Sequence, residues 1–204
     1  METVEEVYDK IAHEFDKTRV FPWPPVKEYL DNLEKDSLVL DIGCGNGKNL
    51  FYRKDISCVG IDISQKMVDL VISRNGLAKK GTMTKIPYYD NMFDNFICIA
   101  AYHHLDNDKY RKTALGEMYR VLKYGGTGMI SVWAKEQPKG SKLVFNVGDN
   151  IVPWNSRDGT IHYRYYHIYN EGMLEEEITR LEPRLVIKDI IYQKGNWYAI
   201  LIKK

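Results

Sequence analysis

The sequence predicts an α/β protein: a doubly wound, seven-stranded, mostly parallel sheet that ends in an antiparallel hairpin. Three observations predict it. Apolar runs of strand length alternate with segments of helical period from residue 38 onward. One such run breaks into Asp41-Ile42-Gly43-Cys44-Gly45-Asn46-Gly47, with a glycine at every second position. The next run, Cys58-Val59-Gly60-Ile61, ends on a second acid, Asp62. It lies about 20 residues beyond the first acid, the offset at which a carboxylate meets a ribose hydroxyl in nucleotide-binding sheets.

The elements follow in order. Val4, Val7, Tyr8, Ile11, Ala12 and Phe15 recur with helical period. Prolines at 22, 24 and 25 stop that helix, and 26–33 reads as a second one. Strand one is 38–42, followed by a helix over 46–53, and strand two is 57–61. Ser64 caps a helix over 65–74. Strand three is short, at 80–84, and strand four is 95–101. Asp106 or Asn107 caps a long helix reaching residue 122, Tyr124-Gly125-Gly126 is a turn, and strand five is 127–133. Residues 134–159 read as a long loop, 160–169 as an extended aromatic segment, and 172–181 as a helix. Two β-rich runs, 184–193 and 196–202, are split by Lys194-Gly195, a hairpin signal. Residues 1–204 thus read as one domain, with 1–34 as a helical lid and 134–169 as an insertion on the substrate side.

With 29 basic and 28 acidic residues the net charge is only +1, so nucleic-acid binding would need a local patch rather than a global field. Cys44, Cys58 and Cys98 are odd in number, far apart and without zinc-ligand spacing, so no metal is expected. They fit reduced thiols of a cytoplasmic or nuclear protein. The acidic start lacks a signal-peptide core, and no apolar run reaches membrane-spanning length, so no membrane partner is expected.

The glycine spacing, D-x-G-x-G-x-G, departs from the dinucleotide fingerprint. It resembles motif I of the class I S-adenosylmethionine-dependent methyltransferases. The resemblance implies that Asp41, Gly43, Cys44, Gly45 and Gly47 surround the methionine part of the cofactor. Asp62 would take the ribose hydroxyls, and Ile63 would cover the adenine. Thr82 and Met83 would meet the adenine from the strand-three side; Thr82 stands where that family often has Asp. Asp94 matches the family's acid before strand four and reads as a strand-end bond.

Further segments narrow the resemblance. They are Tyr8–Arg19 with Pro22-Trp23-Pro24, His103-His104, Pro153-Trp154, Tyr163-Arg164-Tyr165-Tyr166-His167 and Asn196-Trp197-Tyr198. Together they are similar to the eukaryotic tRNA methyltransferases that esterify 5-carboxymethyluridine at the wobble position. That implies a tRNA anticodon loop as substrate and a small zinc-binding activator subunit as partner, docked on the edge at strand three. A carboxylate is already ionised at neutral pH, so it can attack a sulfonium methyl without a strong base. The site must then align atoms and hold the carboxylate, a task for arginine, while aromatics and histidines stack the base. Arg19, His103, His104, Arg164, Tyr165 and His167 are the candidates, with Trp23 and Trp154 as platforms. The rival readings are a methyltransferase of a small molecule and a non-catalytic, cofactor-binding scaffold.

Overall fold

The computed structural model describes residues 2–204. Helix α1 (Val4–Thr18) starts at a capping box: Thr3 accepts the Glu6 amide while the Glu6 carboxylate takes the Thr3 amide. Helix α2 (Pro24–Asp31) opens with proline at its first positions, where a missing N–H costs nothing. Then follow β1 (Leu38–Ile42), β2 (Ser57–Asp62), α3 (Gln65–Ser73), β3 (Leu77–Lys80) and β4 (Phe93–Ile99). A 3-10 turn (Tyr102–His104) leads to α4 (Asp108–Val121), capped by Asn107, and β5 (Leu122–Trp133). The chain ends with β6 (Gly148–Asn155), β7 (Ile161–Ile168), α5 (Met173–Leu181), β8 (Leu185–Gln193) and β9 (Asn196–Lys203).

Seven strands form one sheet in the order β3-β2-β1-β4-β5-β9-β8. The first five are parallel, and β9 joins β5 antiparallel and pairs with β8. The hairpin turn at Lys194-Gly195 has positive φ at both residues (46° and 79°), as the sequence predicts. The core lies between β1, β4, β5 and β9 and the helices α4 and α5, around Phe93, Phe96, Leu115, Met118 and Ile178.

Four local readings are corrected. Residues 46–53 form successive turns, not a helix. Gly47 is left-handed (φ +79°), and the Asn46 side chain bonds away to Asp16 Oδ1 (2.9 Å) and Arg19 O (2.8 Å), competing with helical bonding. Strand β3 lies earlier than expected, because its register with β2 runs from Val59–Leu77 to Asp62–Lys80. The 134–159 loop contains β6, which forms a separate two-stranded sheet with β7 from Gly148–Ile168 to Asn155–Ile161. The turn at 124–126 lies inside β5, where the register with β4 slips and Gly125 has φ +76°.

Helix α1 roofs the carboxyl edge of the sheet. Asp9 Oδ1 accepts from Ser64 Oγ (2.5 Å) and the Lys66 amide (3.2 Å) at the start of α3. Arg74–Asp16 and Lys80–Glu5 pairs, each 2.6 Å, pin its two ends. Among the described residues no helix is long and apolar enough to cross a membrane.

Candidate functional site

A cleft of about 320 Å³ opens between the carboxyl ends of the strands, the roof helix α1 and β7. Such sheets bind ligands at that edge. The glycine turn forms its floor. Gly43 has φ +71°, and a Cβ there would lie 2.5 Å from the Ala101 Cβ, so only glycine lets β1 and the segment after β4 approach. Asp62 closes β2 with both oxygens engaged: Oδ2 accepts the Gly45 amide (2.8 Å) and Oδ1 the Ser64 amide (2.9 Å). Burial raises its carboxyl to about 6, so it is mainly ionised at neutral pH, with lone pairs left for hydroxyl donors.

Asp41 lies beneath this floor, fully buried, and burial raises it to about 7. Its Oδ2 is 3.4 Å from Asn49 Nδ2, while its Oδ1 has no partner. Gly47 faces α3 instead of the cleft: a Cβ there would sit 2.9 Å from Val71. Gly43, Cys44, Gly45, Asp62, Ile63, Thr82 and Met83 do line the cleft. Thr82 Oγ1 is bonded to Thr84 Oγ1 (2.9 Å). Asp94 ties strand ends, accepting the Leu38 amide (2.9 Å) and pairing with Lys123.

The far wall is built where β4 ends. Ala100 is left-handed (φ +53°) and turns the chain into the 3-10 turn that carries both histidines. His104 faces the cleft. Its Nδ1 donates to the Tyr165 carbonyl (2.8 Å), which leaves Nε2 as the acceptor for the Tyr8 hydroxyl (3.0 Å). Burial and the Arg164 charge hold His104 neutral, with its pKa lowered to about 4. His103 points the other way: it is fully buried, accepts the Trp133 amide through Nδ1 (3.2 Å) and stacks on Tyr166 at 4.6 Å. It packs behind His104 and does not line the cleft, and that burial drives its pKa well down.

Strand β7 divides its residues by parity. Arg164 and Tyr166 face the cleft, whereas Tyr165 and His167 share Asp149 Oδ1, at 2.6 and 2.9 Å, on the other face of the β6–β7 sheet. Tyr165 and His167 are therefore not brought into the cleft with the other candidates. Arg164 is only 5 % exposed. Its guanidinium carbon lies 5.2 Å from the rings of both Trp154 and Tyr166. Nη1 reaches Tyr8 Oη at 3.5 Å, Nε has no partner, and among the described residues no carboxylate pairs with it. Trp154 backs Arg164 without lining the cleft; Trp23 lines it, with the Lys48 ammonium 4.5 Å from its ring centre. Arg19 also lines the cleft, over the Phe15 ring at 5.1 Å.

Tyr8, Phe15, Lys48, Asn49, Trp133 and Tyr166 also line the cleft. The sequence reading did not single out any of these as site residues. Lys48 and Asn49 directly follow the glycine turn, and that adjacency was the available signal.

The donor set suits a nucleoside bearing an amino acid. A carboxylate closes β2, apolar residues from Ile63 to Met83 flank it, and a cation with buried unpaired acceptors stands by the glycine turn. A model of a methyltransferase domain matches residues 40–130. The chain is similar to a Methanosarcina mazei S-adenosylmethionine-dependent methyltransferase (TM-score 0.69, 20 % identity, 90 % of this chain and 98 % of that one). It is also similar to a structure that joins the Haloferax volcanii Trm112 methyltransferase activator with a methyltransferase (TM-score 0.71, 17 % identity, 98 % and 97 %). The fold is thus that of the class I methyltransferases, whose cofactor is S-adenosylmethionine. In sequence, the chain is 31 % identical to a Schizosaccharomyces pombe tRNA (carboxymethyluridine(34)-5-O)-methyltransferase, over 99 % of this chain and 96 % of that one. It spans only about two fifths (41 %) of a longer Xenopus tropicalis protein of the same name, also at 31 % identity. End-to-end likeness to the yeast protein shows that the chain belongs to the tRNA (carboxymethyluridine(34)-5-O)-methyltransferase family.

Proposed function

We propose that this protein transfers a methyl group from S-adenosylmethionine to the carboxylate of 5-carboxymethyluridine at the tRNA wobble position, forming the methyl ester. The observation that carries this reading is Arg164: a buried guanidinium, facing the cleft, with no anion of its own. A buried charge without a partner is costly, and a planar carboxylate is the group its fork fits.

When bound, the cofactor supplies an electrophilic methyl on a sulfonium. Asp62, Ile63, Thr82 and Met83 hold its nucleoside end, and Gly43, Cys44 and Gly45 bring the backbone against its methionine part. Arg164 orients the substrate carboxylate, with Arg19 as a second cation. Tyr8 and His104 fix the position of Arg164 from the roof and the far wall. His104 is neutral and its Nε2 already accepts a hydrogen bond from the Tyr8 hydroxyl, so its role is orientation. Bringing a carboxylate to a sulfonium neutralises charge, and the aromatic walls of Trp133, Tyr166 and Phe15 exclude water from that encounter. Trp23 at the mouth offers a stacking face for a base. Residues 2–34 serve as the lid, residue 1 of the expected 1–34 segment lying outside the described residues, and 134–169 as the substrate-side wall.

A small zinc-binding activator subunit is the proposed partner. Strand β3 is an edge, paired only with β2, and Leu77 on it is exposed, as are the nearby Ile72 and Tyr89. An anticodon loop bound in the cytoplasm or nucleus completes the reading.

The test is methyl transfer from labelled S-adenosylmethionine to tRNA lacking the wobble ester, with and without the activator. A base-labile ester on the wobble uridine is expected. Transfer to small-molecule extracts but not to tRNA would overturn the substrate, and cofactor binding without any transfer would favour a scaffold.

A further inference from the structure

The chain's net charge is only +1, so an RNA must be met by a local patch. One stretch qualifies. Between Asp16 and Glu28 the sequence carries Lys17, Arg19 and Lys27 and no acid. There a shallow hollow, formed by residues 18–23 and Lys48, adjoins the cleft. Arg19, Trp23 and Lys48 line both, so hollow and cleft are continuous. Among the described residues none of the cations Lys17, Arg19, Lys27 and Lys48 pairs with a carboxylate.

We propose that this hollow seats the RNA strand beside the target nucleotide, and that the base flanking the wobble uridine stacks on Phe21. The inference rests on the proposed function and adds a second contact on the same RNA. Trp23 stands at the mouth of the cleft, whereas Phe21 lines only the hollow outside it.

Phe21 is 79 % exposed and the adjacent Val20 61 %. Side chains this exposed bury little apolar area and contribute little to folding. The backbone that carries the ring is nonetheless fixed. Pro22 restricts Phe21 to extended conformations. The Arg19 carbonyl accepts the buried Asn46 side-chain amide (2.8 Å), and Asp16 Oδ1 accepts it too (2.9 Å), which ties the segment to the glycine turn. An aromatic face thus stands in water on a preorganised backbone, so ordering it around a ligand costs little. Bases splayed from a single strand stack on such faces while neighbouring cations take the phosphates.

The experiment measures binding of the full chain, with S-adenosylhomocysteine present, to a fluorescent anticodon stem-loop RNA that carries 5-carboxymethyluridine. Phe21→Ala should weaken binding about fivefold to a hundredfold, the range for one lost base–aromatic stack. Phe21→Trp should bind as well as wild type. Phe21→Leu, apolar but without a π-face, should bind like Phe21→Ala. Removing the base on one side of the wobble position, 5′ or 3′, should abolish the difference between wild type and Phe21→Ala. Equal binding by wild type and Phe21→Ala would overturn the inference. So would a loss that persists with both abasic RNAs, or a parallel loss of S-adenosylhomocysteine affinity, because Phe21 would then act on the fold. Phe21→Ala that weakens binding only to anionic phospholipid vesicles, with RNA binding unchanged, would also overturn it. A wild-type chain that binds the RNA but transfers no methyl to it would overturn the proposed function and leave the Phe21 comparison to decide the inference. A wild-type chain that binds no RNA would overturn both.

Discussion

Tyr8 Oη lies 3.0 Å from His104 Nε2, joining the roof helix to the far wall across 96 positions of sequence. The bond has a fixed direction. His104 spends its only N–H on the Tyr165 carbonyl, so the tyrosine must donate and its oxygen is free to accept from Arg164. The chain Arg164–Tyr8–His104–Tyr165 therefore sets where the guanidinium stands. Tyr8→Phe keeps the ring and removes this link. Turnover on tRNA should fall about tenfold, a loss of roughly 1.4 kcal/mol, with S-adenosylhomocysteine affinity unchanged. Equal turnover in the variant would show that Arg164 is held by its ring contacts alone.

Arg164 sits among Tyr8, Trp154 and Tyr166, a setting that suits a flat, weakly hydrated cation. Lysine would keep the charge but lose both the stacking and the two-pronged grip. Arg164→Lys and Arg164→Ala should each lower kcat/KM for tRNA by at least about a hundredfold, within the usual range for losing a charged hydrogen-bonding group in a buried site. Cofactor affinity should stay within about twofold. A lysine variant at the wild-type rate would show that a point charge suffices.

Glu177 holds the same wall from behind. It accepts from Tyr102 (3.1 Å) and Tyr169 (2.8 Å), and its Oε2 lies 2.9 Å from Arg111 Nε. Tyr102 begins the turn that carries His104, and Tyr169 follows β7, so one carboxylate ties both sides of the Arg164 pocket to α4. Removing Glu177 leaves Arg111 paired with Asp108 (2.5 Å) but strips two buried tyrosine hydroxyls of their acceptor. Glu177→Ala should cost about 2–5 kcal/mol in urea denaturation, from about 1–3 kcal/mol per buried donor left unpaired. A cost below about 1 kcal/mol would mean that water replaces the carboxylate.

The half of the cleft built by the glycine turn was legible because it is local in sequence. A strand, a glycine turn and an acid at the end of the next strand specify one another, and Gly43, Gly45 and Asp62 stand where that pattern puts them. The other half, around Arg164, depends on contacts between distant segments. In Tyr163–His167 the alternation of faces was readable, but which face meets the cleft is set by the partner strand β6, whose residues carry a weak strand signal. Arg164 and Tyr165 were thus equivalent in sequence and opposite in structure. Tyr8 fell on the apolar period of α1, which hid its hydroxyl's partner, and Lys48 lay in a segment expected to be helical.

Asp41 offers a prediction in stability. Burial raises its carboxyl to about 7, whereas an unfolded chain ionises it near 4. Between those values the folded state binds more protons than the unfolded one. The stability linked to that proton is fully present below about pH 4 and is lost as pH rises through 7. Asp41→Asn removes the titration, together with the repulsion between Asp41 and Asp62 that helps to raise it. The stability of the variant relative to wild type should therefore grow between pH 5.5 and pH 8, by up to about 2 kcal/mol. Urea denaturation of both proteins at the two pH values measures the change. A difference that stays constant would place the Asp41 pKa in the ordinary carboxylate range, and the acceptor beside Lys48 would then be ionised throughout.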